Sequence, residues 1–452
     1  MLSAKKIIAY TCLFLVTFGL TYALLYLVFP YNKKPAATTI KVVGLWDTSV
    51  FQTLKTDFQA KNPSITIEYE KRPVDNYYST LKASLDGKSG PDLFWWHSGW
   101  GPELLSELSP MPSSVMGSQE FEKTFYPIAK ADLKWQGTFR GLPLEFDSLA
   151  LLYNKTLLAK SNFSEPPRTW SSLQSPYVSS LTAGDRQRIV NSAIALGSAN
   201  NVENASDILG LLFLQSGVDF IRDAKLTLAS DKDTNGKSLA ATTVDFYLDF
   251  NRKSRTWDNT LPNSLEAFAK GKTAMILLPA AKIPTLQNYL KEQGLSMDFG
   301  VAKVPQLVDS KSVNWGSYWA IGVGANSSKA KQAAAWKFAK YLVTPEALKT
   351  VYDFDTKSVG LGRVYPRVDM AEQQIDNPLL SPYLSEAPTA QSWFLQDSTQ
   401  DEGLNDNLIT ELKKSITKLE TGGSTEAELV DLEKRITPIL TKYKLIAPSK
   451  EK

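Results

Sequence analysis

Indoles and carboxylates are the side chains of this 452-residue chain best able to do chemistry, because histidine and cysteine are nearly absent. The chain has one His (His97), one Cys (Cys12), 11 Trp, 18 Tyr and 20 Phe. With Cys12 inside an apolar run, no cysteine framework, Cys/His zinc site, Cys–His nucleophile pair or intrachain disulfide can be assembled. A Ser–His–Asp triad would have to use His97, which reads as a loop residue beside Trp96. The tryptophans are unevenly placed. Trp46 ends the run TIKVVGLW, Trp95 and Trp96 end PDLFWW, and Trp100 follows in the next loop. Trp315, Tyr318 and Trp319 flank the start of YWAIGVGA, and Trp393 lies in QSWFLQD. An indole face packs on the C–H face of a pyranose ring and leaves the hydroxyls free at the edge. Strand alternation lets only one of Trp95 and Trp96 face a cleft, and Trp96 is the candidate. Trp170 in PPRTWSSL and Trp336 in AAAWKFAKYL read as packing residues.

Carboxylates are the second set. Asp47 follows Trp46, while Glu145 and Asp147 stand two apart in LEFDS, on one face of an extended segment. Carboxylates accept hydrogen bonds from vicinal hydroxyls and so suit a polyol ligand. A glycosidase would place its pair on opposed sides of the scissile bond, ~5–9.5 Å apart, and neighbours on one strand serve that geometry poorly. DKDTNGKS has the spacing of half a calcium loop, but its twelfth position is Thr242 where a bidentate Glu belongs, so it reads as a polar turn. No phosphate-cradling glycine loop is present. With 50 Lys+Arg against 47 Asp+Glu and no basic block, nucleic acid is excluded as the main partner.

These residues need elements to hold them. Residues 7–29 form 23 positions without a charge, long enough as a helix to cross a bilayer of ~30 Å. They predict a membrane anchor, with a cleaved export signal as the second reading, followed by a polar tether. Next come a β-rich run (39–46), an amphipathic helix marked by Phe51, Leu54 and Phe58, a strand (65–70), a helix marked by Tyr78, Leu81 and Leu85, and a strand (91–96). That alternation predicts a parallel sheet with a ligand crevice at the carboxyl ends of its strands. Residues 141–154, 273–279 and 318–325 read as further strands. The carboxyl end reads as two helices broken at Gly422-Gly423.

Four stretches, SGPDLFWWHSGWG, GLPLEFDSLALLYNKTLL, AFAKGKTAMILLP and SYWAIGVGANSSKAKQAAAWKFAKYLVTPEA, resemble the carbohydrate-uptake family of extracellular solute-binding proteins of ABC transporters. The likeness covers about residues 39–445. It implies an α/β, two-lobed periplasmic-binding-protein fold with a hinge of three crossings, preceded here by one N-terminal transmembrane helix. The expected lobes are 39–146 plus 307–352 and 147–306 plus 353–452, after an anchor and tether over 1–38. The resemblance implies a sugar or oligosaccharide held by Trp46, Asp47, Trp96, Trp100, Asp147 in preference to Glu145, and Trp393, to which the placement of the aromatics adds Trp315, Tyr318 and Trp319, with no cofactor and no catalysis. The implied partner is an ABC transporter permease, the implied state a monomer, and the implied location the outer face of the cell membrane. Gly99 and Trp100 replace the family's acidic-basic pair in the PDLFWW loop. Two rival readings are a cationic solute such as a betaine or polyamine, and a glycan-sensing or adhesive role on the same fold.

Overall fold

The computed structural model describes residues 3, 6, 10, 11, 13–21, 37–87, 90–185, 188–308, 312–393, 395–397 and 399–447. Of the apolar run over 7–29, residues 10, 11 and 13–21 are helical; Cys12 and the rest of the run lie outside the described residues. Among the described residues no helix is long and apolar enough to cross a membrane.

Strands Thr38–Gly44, Ile65–Lys71 and Leu93–His97 are parallel, as the alternation predicts. The helices between them follow the apolar spacing. Thr48–Lys61 buries Val50, Phe51, Leu54 and Phe58, and Tyr77–Asp86 buries Tyr77, Tyr78, Leu81 and Leu85 before Gly87 ends it. The later strand Trp319–Val323 enters this sheet antiparallel, between Leu93–His97 and the short Leu142–Pro143 strand, giving five strands. Its register pairs Trp319 with His97, so its start meets the carboxyl end of the strand beside it. All five residues of Leu93–His97 are buried, because both faces of the sheet are covered. Trp95 lies over Gly44 and Trp96 over Gly141 and Gly322, where the missing side chains leave room for the indoles.

A second sheet takes the remaining long strands. Its order is Ala390–Ser392, Asn314–Ser317, Asp147–Asn154, Thr273–Pro279, Ile189–Ile194 and Ala183–Gly184, with Phe299–Ala302 also paired to Asp147–Asn154. The stretch 141–154, expected as one strand, is therefore split. Residues 142–143 belong to the first sheet, residues 147–154 to the second, and residues 144–146 make the first crossing. Tyr318 is the second crossing, because Ser317 pairs in one sheet and Trp319 in the other.

Two of the expected lobe limits shift. Residues 314–317, expected in the first lobe, pair in the second sheet. The helix expected to leave the first lobe at 352 runs unbroken over Pro345–Val359, with Thr344 capping its start and Gly360 at φ 86° ending it. That helix packs on Thr48–Lys61, while Lys329–Leu342 packs on the first sheet. The third crossing follows Gly360 and leads to Ser381–Glu386, which packs on Asp147–Asn154. The Phe146 N–H donates to the Val364 carbonyl at 3.0 Å, tying the first crossing to the third. Helices Leu404–Glu420 and Thr425–Lys442 pack on each other and on Leu239–Arg252 of the second lobe. The result is a mixed α/β, two-lobed molecule.

Candidate functional site

Between the lobes, beside the crossings, lies a cavity of about 590 Å³. The first lobe contributes Val74 and His97, and the crossings contribute Glu145, Asp147, Ser317, Tyr318 and Trp319. The second lobe supplies Trp315 and a polar wall that includes Asn200, Glu203, Asn204 and Asn263. Lys282, Asp397, Gln400 and Lys413 complete that wall.

The aromatic wall is built in layers. Trp319 is edge-on to Trp100 at 5.1 Å, to His97 at 5.1 Å and to Tyr77 at 5.9 Å. Trp100 sits behind it, fully buried and backed in turn by Tyr78 at 4.9 Å. Interlocked rings of this kind hold one indole at a fixed angle. Tyr318 spends its hydroxyl on Asp132 Oδ2 at 3.0 Å. Burial pushes the Asp132 carboxyl up to about 6, against the hydrogen bonds from Ser392 and Tyr318. Trp315 is buried, and its Nε1 has no protein partner; the same holds for Asn204 Oδ1 of the same lobe. Both atoms are enclosed, so one donor and one acceptor are left unsatisfied just behind the cavity surface.

Each carboxylate lining the cavity already has its partners. Glu145 is paired with Arg363 at 2.6 Å. Asp147 accepts the backbone N–H groups of Ala280, Ala281 and Ser148 at 2.8, 3.0 and 2.8 Å. Burial nonetheless pushes its carboxyl up to about 7, against the pull of those three donors. Asp397 meets Lys413 at 3.1 Å and accepts the Ser206 N–H, while Glu203 accepts Asn263 Nδ2 at 3.0 Å and lies 3.8 Å from Lys282. His97 is neutral: burial pulls its imidazole down to about 3, and its Nδ1 accepts the Gly99 N–H at 3.2 Å. A cleft so neutralised favours a ligand that brings hydroxyls over one that brings charge.

The residues singled out from the sequence thus separate. Glu145, Asp147, Trp315, Tyr318 and Trp319 come together around the cavity. Trp46 is core, edge-on to Trp95 at 5.1 Å, with its carbonyl taken by Tyr69. Trp96 is core as well. Asp47 caps the Thr48–Lys61 helix; the Ser49 N–H and hydroxyl and Lys71 hold its carboxyl down at about 2. Trp100 stands one layer behind the wall, and Trp393 packs on Phe213 and Phe220, away from this cavity. The polar wall was missed, although its signal was available: GSANNVENAS is a dense run of amide residues between a strand and the Ala205–Ser216 helix. In DKDTNGKS, Asp233 caps its own turn through the Asn235 and Lys237 N–H groups and Asp231 pairs with Arg222. Among the described residues no cluster of three or more His, Cys, Asp or Glu could hold a metal.

Residues 53–361 match the model of a family described as bacterial extracellular solute-binding protein. The maltotriose-binding protein of Pyrococcus abyssi is 28% identical over 125 residues, which is 28% of this chain and 26% of that protein. The chain therefore matches about a quarter of the length of that relative. Among solved structures, a cyclic alpha-maltosyl-1,6-maltose binding protein of Arthrobacter globiformis superposes with a TM-score of 0.71 at 17% identity, covering 90% of this chain and 100% of that one. The sugar-binding protein MalE of Xanthomonas citri gives 0.70 at 18% identity over 92% and 100%. At such identities the structural likeness speaks for the fold.

Proposed function

From the premise that this chain belongs to the bacterial extracellular solute-binding proteins, we propose that it captures a sugar or oligosaccharide between its lobes and presents it to an ABC transporter permease, without converting it. The observation that carries this reading is the pairing, in one interlobe cavity, of the Trp315 and Trp319 indoles with carboxylates that are ion-paired, as Glu145 and Asp397 are, or held by backbone N–H groups, as Asp147 is. Indoles offer apolar area to the ring face, and the amides of the polar wall orient the hydroxyls. Hinged closure about the three crossings would exclude water. The sugars named for its relatives support the same ligand class. A betaine or polyamine would want an ionised, unpaired carboxylate beside the aromatics; Glu145 and Asp397 have their cations, and burial pushes the cation-free Asp147 up to about 7.

The apolar run over 7–29 would tether the protein to the outer face of the membrane. On its described helical part, Tyr10, Leu13, Phe14, Val16 and Phe18 are all more than half exposed. A helix that is apolar all round seeks lipid.

Titration calorimetry of the full-length protein against mono- and oligosaccharides, with quaternary amines and polyamines as the contrasting arm, tests the ligand class. Saccharide binding that weakens about tenfold or more in Trp319→Ala, ~1.4 kcal/mol, is the expected result. Binding of amines with none of saccharides would overturn the reading.

A further inference from the structure

We propose that the seam where the lobes touch is a size filter that confines the ligand to the 590 Å³ chamber and shuts out long saccharides. The proposal rests on the sugar reading above and concerns the length of chain accepted.

A second cavity, of about 870 Å³, opens on the other side of the same interlobe gap, with Trp135, Trp393 and Tyr443 among its lining. The two chambers share a wall made of alternating neighbours. His97 faces the first and Ser98 and Gly99 the second; Asp397 and Gln400 face the first and Gln396 the second. One thin partition, half from each lobe, therefore divides what would otherwise be a single groove.

The partition is bonded across the gap. Asn405 Nδ2 of the second lobe donates to the Gly99 carbonyl of the first at 3.0 Å. The Leu404 N–H, at the start of its helix, donates to Glu103 Oε1 at 3.2 Å, and Ser98 Oγ lies 3.4 Å from Gln396 Oε1. Glu103 is fixed from its own side by the Tyr78 hydroxyl at 2.6 Å. Gln396, Thr399 and Asn405 are buried. Asp401 braces the second-lobe half by accepting the N–H groups of Gly403, Asn405 and Asp406. A saccharide threaded through both chambers would have to break these bonds and strand a buried amide and a carboxylate, which is costly. A ligand of about two or three rings, filling a pocket of ordinary ligand size, leaves them intact.

Gly99 offers a direct test. A side chain there would meet Thr399 Cγ2 at 3.0 Å, His97 Nδ1 at 3.3 Å and Gln396 Cδ at 3.4 Å, so Gly99→Val wedges the seam from within while pressing on the chamber wall at His97. Asn405→Ala removes the cross-gap amide instead. Calorimetry of the full-length protein would use ladders of one to six α-linked and β-linked glucose units. In the wild type, affinity should peak at two or three units and fall for longer chains. Either variant should raise affinity for the six-unit chain relative to the two-unit chain at least about tenfold, and in Asn405→Ala the two-unit chain itself should change less than about threefold. Wild-type affinity that keeps rising to six units overturns the filter and needs no variant to be read. So does an unchanged long-to-short ratio in both variants when circular dichroism shows them folded. If no member of either ladder binds, the sugar reading itself falls.

Discussion

Replacing Arg363 by Met should loosen the hinge in a measurable way. The guanidinium bridges Glu145 of the first crossing at 2.6 Å and Asp355 at 2.5 Å, in the helix that leads into the third. Both carboxylates are 14% exposed, while the arginine is 34% exposed. Orphaning a buried ion pair costs ~3–5 kcal/mol, and the partial exposure of the cation brings the expectation to about 2–4 kcal/mol. Methionine keeps most of the volume, so the loss reports charge rather than a cavity. Without their cation, two largely buried carboxylates are left facing each other unpaired. Urea unfolding at pH 7.5 measures the loss, and Glu145→Gln with Asp355→Asn on the Arg363→Met background should recover most of it, because the orphaned charges are then gone. A gap between wild type and Arg363→Met below about 1 kcal/mol, or no recovery in the triple variant, refutes the reasoning.

Other outcomes follow from single positions. Asp147 titrates near 7 in the fold against 3.8 ordinarily. Its protonation thus supports the fold at low pH, and that support is lost as pH rises through 7. Urea midpoints at pH 5 and pH 8 should consequently fall more in the wild type than in Asp147→Asn; equal slopes would remove Asp147 as a titrating group. Gly210 lies in the Ala205–Ser216 helix against Trp393, and an added Cβ would stand 2.7 Å from Cδ1 of that indole. Gly210→Ala should cost about 1–3 kcal/mol by overpacking, read as a lower melting temperature; an unchanged melt would mean the indole can move aside.

The local pieces were legible in the sequence where a single face decides the pattern. Phe51, Leu54 and Phe58 gave a helix, and the turn at Gly87 ended another, because each depends on neighbours a few residues away. Strand direction and partner depend on distant chain, so the antiparallel entry of Trp319–Val323 could not be read from its own residues. The same cause governs the site. Trp315 and Trp319 reach the cleft because the strand of the first ends, and that of the second begins, at the Tyr318 crossing, and a strand end is visible in sequence. Trp46 and Trp96 also lie at strand ends, yet Trp46 is held in the core by Trp95 and the Tyr69 hydroxyl, and Trp96 fits into the space left by the glycines at 141 and 322. Whether a tryptophan at a strand end faces ligand or core is set by what covers the sheet, and covering helices come from far along the chain. Asp47 shows a further limit: a carboxylate after a strand is as well explained by the helix it caps.

The layered indoles also make the protein its own optical reporter. Of the 11 tryptophans, Trp46, Trp95, Trp96, Trp170, Trp257 and Trp336 are sealed in the interior, where their emission is blue and indifferent to ligand. Trp315 and Trp319 line the cleft, while Trp135 and Trp393 line the neighbouring chamber. Trp319, held edge-on to Trp100 at 5.1 Å, is close enough for excitation to pass between the two rings. Filling the cleft should therefore register as a small spectral change on a large constant background, and excitation at the red edge, which selects the more solvated indoles, should magnify it.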